Sequence, residues 1–148
     1  MAVPKSRPWE AIMRSSIRTG LSFGMASGVI TTLGLLVGLY AGTRALTPVI
    51  SGILIIAVSD SMADAFGIHL AEESRDGSRE HDVWHATFVT LATKFLIAIS
   101  FVVPLLLLPV DLAIYLDVAW GALILTVLSY LIARAHERPA GPVIAEHL

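Results

Sequence analysis

Residues 46–70 read LTPVISGILIIAVSDSMADAFGIHL, an apolar run that two aspartates interrupt near its end. A helix of about 20 apolar residues crosses the hydrocarbon core of a bilayer. Asp60 and Asp64 lie four residues apart, so they share one face of that helix. A charge at this depth costs on the order of 3 kcal/mol or more, and intramembrane carboxylates mark ion or proton pathways. We therefore predict a cation or proton site at this pair; the alternative is a wetted pair at the cytoplasmic boundary, held by a basic residue.

The composition is that of a membrane protein. Of 148 residues, 55% are hydrophobic and only 15% are charged, against about 25% charged in soluble domains. The sequence has no cysteine, which excludes disulfides, thiolate metal sites and thiol nucleophiles. The first apolar run is too long for the hydrophobic region of a signal peptide.

The apolar runs predict an all-α, polytopic transmembrane bundle with four spans. Length and hydropathy place them at about 21–40, 47–66, 84–109 and 112–133.

Three regions follow from these spans. We expect a cytoplasmic N-terminal segment, residues 1–19, whose part from Trp9 is a helix lying in the membrane interface; an extension of the first span is the equal alternative. A transmembrane domain occupies residues 20–135, and a cytoplasmic tail residues 136–148.

Basic residues predict the orientation. With four spans, both termini and the charged linker at 72–85 lie on one side. That side carries eight of the ten lysines and arginines: Lys5, Arg7, Arg14, Arg18, Arg75, Arg79, Arg134 and Arg138. Because basic loops stay in the cytoplasm, we expect cytoplasmic termini.

The first span is rich in glycine at a spacing of four. One row is Gly20, Gly24 and Gly28, and a second row is Gly34, Gly38 and Gly42. Glycine at this spacing lets another helix approach closely. We expect the span to lie inside the bundle or at a subunit interface, and we predict a homodimer formed through it.

Two stretches resemble the vacuolar iron transporter (VIT) family. Residues 24–38, GMASGVITTLGLLVG, resemble its first span, and residues 59–70, SDSMADAFGIHL, resemble the end of its second span. The resemblance implies a dimeric transporter that moves Fe²⁺ or Mn²⁺ out of the cytoplasm in exchange for protons. It further implies a small prokaryotic protein of the cytoplasmic membrane.

The match to the family pattern is partial. Asp60 matches a family acidic position, whereas Ser27 replaces the first-span aspartate and Asp64 replaces a methionine of the second span. The linker at 72–85 is far shorter than the metal-collecting insert of eukaryotic members. The family has five spans, and the fifth has no counterpart among the four counted here.

Several further residues are candidates for the site. His69, Glu72 and Glu73 have the spacing of a weak surface metal site, although a solvated acidic helix end is the simpler interpretation. Ser27 and Thr31 supply hydroxyls to a pathway. Lys94 is either the counter-ion of Asp60 and Asp64 or a side chain that snorkels to the interface.

A second class of function fits the same sequence. A non-transporting membrane scaffold or assembly protein would pair Asp60 and Asp64 with Lys94, out of reach of water. No nucleophile–base constellation is visible, so we expect no enzyme and no cofactor. The expected partners are the lipid bilayer, divalent cations and protons, and not nucleic acid.

Overall fold

In the residues that the structure describes, the protein is an all-α bundle with four segments long and apolar enough to span a membrane. The computed structural model describes residues 8–75, 77 and 79–135, and its regular structure in these residues is entirely helical. The helices are α1 (Pro8–Thr43), α2 (Leu46–Glu73), α3 (Glu80–Ser100), α4 (Val102–Leu107) and α5 (Val110–Ala135). The segments long and apolar enough to cross a membrane are Ser16–Thr43, Leu46–Glu73, Glu80–Leu107 and Val110–Arg134. The predicted fold class is confirmed.

Helix α1 is longer than the predicted first span. It runs without a break from Pro8 to Thr43, so residues 9–19 continue the first span instead of forming a separate interfacial helix. In the structure, therefore, this segment is an extension of the first span, which is the second of the two alternatives. Residues 1–7 and the predicted tail at 136–148 lie outside the described residues.

Two local features set the helix order. Arg44 has φ 51°, and its backbone N–H donates to the Tyr40 carbonyl at 2.9 Å, which ends α1 in a left-handed cap. The two-residue connection makes α1 and α2 antiparallel.

In the third span, Pro104 cannot donate to the carbonyl of Ser100 and its ring crowds that carbonyl. This is why α3 ends at Ser100 and the span continues as the separate helix α4.

Helices α1, α2 and α3 pack against one another, and α5 packs on α1 and α4. The interior is divided along the membrane normal. The half near the α1–α2 turn holds the apolar core, which includes Leu36, Val49, Ile53, Phe101 and Leu105. The half near the α2–α3 connection holds most of the buried polar side chains, which include Ser16, Ser61, Glu72, Asp82, Thr90 and Lys94.

The outer surface is apolar around the whole bundle. Every span exposes large hydrophobic side chains, among them Ile30, Ile55, Leu96 and Leu123. Apolar surface of this extent is not tolerated in water by a soluble monomer. Contact with the lipid bilayer accounts for it, and the chain has the build of an integral membrane protein.

Candidate functional site

An ionic cluster joins α2 to α3 inside the bundle. Asp60 and Asp64 lie one turn apart on α2, and the ammonium of Lys94 on α3 reaches both carboxylates. Lys94 Nζ donates a short hydrogen bond to Asp64 Oδ2 and lies 2.7 Å from Asp60 Oδ2. The sequence leaves two roles open for Lys94, and in the structure it is the counter-ion of the two aspartates. We call these three residues the triad.

A serine on α1 completes the network. Lys94 Nζ donates to Ser27 Oγ at 2.8 Å, and Ser27 Oγ donates to Asp64 Oδ2 at 2.6 Å. The hydroxyl therefore accepts from the cation and donates to the anion, which satisfies both. Three helices meet at this point, so the network fixes their mutual register.

The first glycine row brings α1 close enough for these contacts. A Cβ on Gly24 would lie 3.0 Å from the Thr90 carbonyl oxygen, and a Cβ on Gly28 would lie 3.1 Å from Ile97 Cγ2. These glycines flank the point where the backbone of Lys94 passes α1. Their absent side chains let Ser27 reach the ammonium.

This arrangement changes the role predicted for the glycines. A Cβ on Gly20 would lie only 2.7 Å from the Ala86 carbonyl oxygen, so the whole first row packs against α3 of the same chain. Of the two sequence alternatives, packing inside the bundle holds for this row. In the second row, a Cβ on Gly34, Gly38 or Gly42 would meet no atom within 4 Å in the described part of the chain.

The charges of the triad are unevenly exposed. The Lys94 side chain is 2% exposed, whereas those of Asp60 and Asp64 are 29% and 21% exposed. Two carboxylates one turn apart repel each other, and a buried ammonium is costly without partners. The ion pairs of Lys94 with Asp60 and Asp64 offset these costs. One net negative charge remains, and the carboxylates have an open side.

The other predicted ligands make separate contacts. Glu72 is buried; it accepts a hydrogen bond from Ser16 Oγ at 3.1 Å and pairs with Arg75 at 3.0 Å. His69 Nδ1 lies 3.0 Å from Thr87 Oγ1, and Glu73 is exposed. Within the described ranges, no group of three His, Asp or Glu side chains is placed to hold a metal ion. Metal binding at this helix end stays a prediction.

The Thr31 hydroxyl bonds within its own helix. Its Oγ1 donates to the Ser27 carbonyl at 2.8 Å. A role of the Thr31 hydroxyl in a pathway also stays a prediction.

Asp117 is a buried acid that sequence reasoning places differently. Its position near the outer end of the fourth span predicts a cap or an exit residue. Instead Asp117 is fully buried, and neither carboxylate oxygen has a hydrogen-bond partner in the described residues. It lies one turn from Gly121, where α5 touches Val29 and Leu33. Helical periodicity places Asp117 and Gly121 on one face of α5. This shared face is the feature of the sequence from which the burial of Asp117 against α1 could have been predicted.

Comparisons with known proteins identify no relative. No protein-family model matches the chain, and neither a curated protein nor a solved structure is significantly similar to it. The residues of the triad are therefore the basis for assigning a function.

Proposed function

We propose that the protein is a membrane transporter that exchanges divalent metal cations, Fe²⁺ or Mn²⁺, for protons, and that the triad is its exchange site. The observation that carries the proposal is the Lys94 ammonium shared by two carboxylates of one helix inside an apolar bundle. Charged groups at membrane depth are costly and mark ion or proton pathways.

The exchange step follows from charge. The Lys94 ammonium occupies the place between two carboxylates that a divalent cation would take. Carboxylates are suitable ligands for hard divalent ions. When a cation binds Asp60 and Asp64, it displaces the ammonium, which loses its proton to water and becomes a neutral amine. One cation enters as one proton leaves, and the buried site then carries no net charge.

The open side of the carboxylates supports access. Asp60 and Asp64 are each more than one fifth exposed, while the amine that must stay inside is covered. A cation can therefore reach the open side of these side chains without first unpacking Lys94, whereas Asp60 Oδ2, the atom that faces the ammonium, is covered. Loss of the cation lets the amine take up a proton again and re-form the ion pair.

The setting of the transporter follows from the sequence. We infer cytoplasmic termini, because basic residues are concentrated on one side; a prokaryotic cytoplasmic membrane is what the resemblance to the VIT family implies. The triad then lies in the cytoplasmic half, from which metal would be exported. We also infer a homodimer, and the second glycine row is the part of α1 left open for it. The resemblance to the VIT family is the source of the proposed substrates, Fe²⁺ and Mn²⁺, whereas the exchange site itself is argued from the triad.

Flux through purified protein tests the proposal. In proteoliposomes, Mn²⁺ uptake should depend on an imposed pH gradient, and Asp60→Asn/Asp64→Asn should reduce it to the level of empty liposomes. Asp117→Asn serves as the matched control, since it also replaces an intramembrane acid by its amide but leaves the triad intact. Flux that is equal in wild type and the double variant would place the pathway elsewhere.

A specific observation favours the rival function. Lys94 is almost fully covered and contacts Asp60, Asp64 and Ser27 at once, as a purely structural lock between helices would be. A non-transporting scaffold or assembly protein would need this lock, but it would also keep the aspartates out of reach of water, and their side chains are 29% and 21% exposed. Under that alternative, wild-type liposomes show no gradient-dependent flux of Fe²⁺ or Mn²⁺, and the triad variants lose stability only.

A further inference from the structure

Two imidazoles converge outside the triad, at the start of α3. His81 and His85 are four residues apart and therefore lie on one helix face. Their Nε2 atoms are 3.1 Å apart, and the ring centroids are 4.1 Å apart. The His81 side chain is 70% exposed, so this face is open to solvent.

The separation of the nitrogens suits a metal ion. With Zn–N bonds of about 2.0–2.1 Å, two nitrogens 3.1 Å apart subtend an angle of about 98° at the ion. This value lies between the roughly 109° of a tetrahedral site and the roughly 90° of neighbouring ligands in an octahedron.

A neighbouring carboxylate supports the same interpretation. Asp82 Oδ1 lies 3.9 Å from His81 Nδ1, within ion-pair range but beyond hydrogen-bond distance. Its side chain is 7% exposed, and its Oδ2 has no hydrogen-bond partner among the described residues. Histidine ligands commonly present their second nitrogen to a carboxylate, which orients the ring and makes the ligand more basic.

We propose that His81 and His85 form a two-histidine site for a borderline divalent transition-metal ion such as Zn²⁺ or Cu²⁺. Water completes the coordination, because no third His, Asp or Glu side chain within the described ranges joins the pair. Imidazole suits such ions. The site is separate from the triad and does not rest on the proposed transport function.

Titration of the full chain in detergent, without a polyhistidine tag, tests the site. Zn²⁺ binding is measured by calorimetry for wild type, His81→Ala and His85→Ala. Loss of an outer-shell partner alone typically costs about 10–100-fold in metal affinity, so loss of a ligand should cost at least about tenfold. Because protons compete for the same nitrogens, wild-type binding should weaken as the pH is lowered.

A register control separates chelation from histidine content. Arg79→His/His85→Ala keeps the number of histidines but places the second one on the extended cap residue before α3, two positions from His81 instead of one helical turn away. It should bind Zn²⁺ as weakly as His85→Ala. In wild type, the electron paramagnetic resonance spectrum of bound Cu²⁺ should show two equivalent nitrogens, and in His85→Ala one.

Three outcomes would overturn the site. One is equal Zn²⁺ affinity in wild type and His85→Ala. Another is wild-type affinity in the register control. The third is a Cu²⁺ spectrum without a second nitrogen, which would leave the pair as a hydrogen bond between two rings. Asp60→Asn/Asp64→Asn should leave the Cu²⁺ spectrum unchanged, so failure of the transport proposal is recognised independently.

Discussion

Lys94 on α3 and Asp64 on α2 are joined by a direct hydrogen bond between ammonium and carboxylate, and Ser27 on α1 bonds to both. Three transmembrane helices thus share one buried ionic contact. Breaking a buried ion pair by removing one partner costs about 3–5 kcal/mol, whereas removing the charges together costs far less. The stability of the bundle and the charge state of the triad are therefore linked.

Lys94→Met should strongly destabilise the protein, by about 3–5 kcal/mol, because it leaves two facing carboxylates without a counter-ion. Asp60→Asn/Asp64→Asn/Lys94→Met should recover most of that loss. Thermal unfolding in detergent micelles measures both. If Lys94→Met unfolds like wild type, the ammonium does not hold the helices together.

The two aspartates should differ in their effect on stability. Asp64 accepts hydrogen bonds from both Lys94 and Ser27, whereas Asp60 contributes an ion pair. Hydrogen bonds to charged groups are worth about 1.5–3 kcal/mol, so Asp64→Asn should cost about 2 kcal/mol and Asp60→Asn under about 1 kcal/mol. Unfolding of the two variants under the same conditions compares them. The reverse order would show that Asp60 is the main partner of Lys94.

The two glycine rows give a matched pair of substitutions. Gly20→Ala should cost about 1–3 kcal/mol, because its Cβ meets the carbonyl oxygen of Ala86 at 2.7 Å. Gly34→Ala should be neutral or stabilise by up to about 1 kcal/mol, since alanine is the better helix former and its Cβ meets nothing within 4 Å in the described part of the chain. Thermal unfolding distinguishes them. Equal effects would contradict the packing of α1 on α3.

Reporter fusions test the orientation. A reporter after Leu148 should be cytoplasmic, and one after Arg44 should lie on the opposite side, because basic residues are retained in the cytoplasm. Activity of a cytoplasmic reporter at both positions would contradict the four-span topology.

Much of the fold can be predicted from hydropathy, since each span is a long apolar run. The face shared by Asp60 and Asp64 follows from helical periodicity. Helical spacing shows which residues share a face of a helix. It does not show which other helix packs against that face. For this reason the sequence leaves Gly20, Gly24 and Gly28 open between the bundle interior and a second subunit.

The same limit explains the residues whose roles the sequence does not reveal. It leaves two roles for Lys94, since the side chain is long enough for either. His81 and His85 have the spacing of a shared helix face, but they stand within a charged stretch that reads as a linker; α3 in fact begins at Glu80. Burial of Asp117 depends on where α5 crosses α1.

Proton release on metal binding tests the exchange mechanism most directly. Mn²⁺ is titrated into the purified protein in weakly buffered detergent solution containing a pH indicator, with Lys94→Met and Asp60→Asn/Asp64→Asn as controls. We expect wild type to release about one proton per Mn²⁺ bound, Lys94→Met to bind Mn²⁺ without this release, and the double aspartate variant to lose the release together with binding at the triad. Wild-type binding without proton release, or equal release from Lys94→Met, would contradict the displacement of the Lys94 proton by the cation.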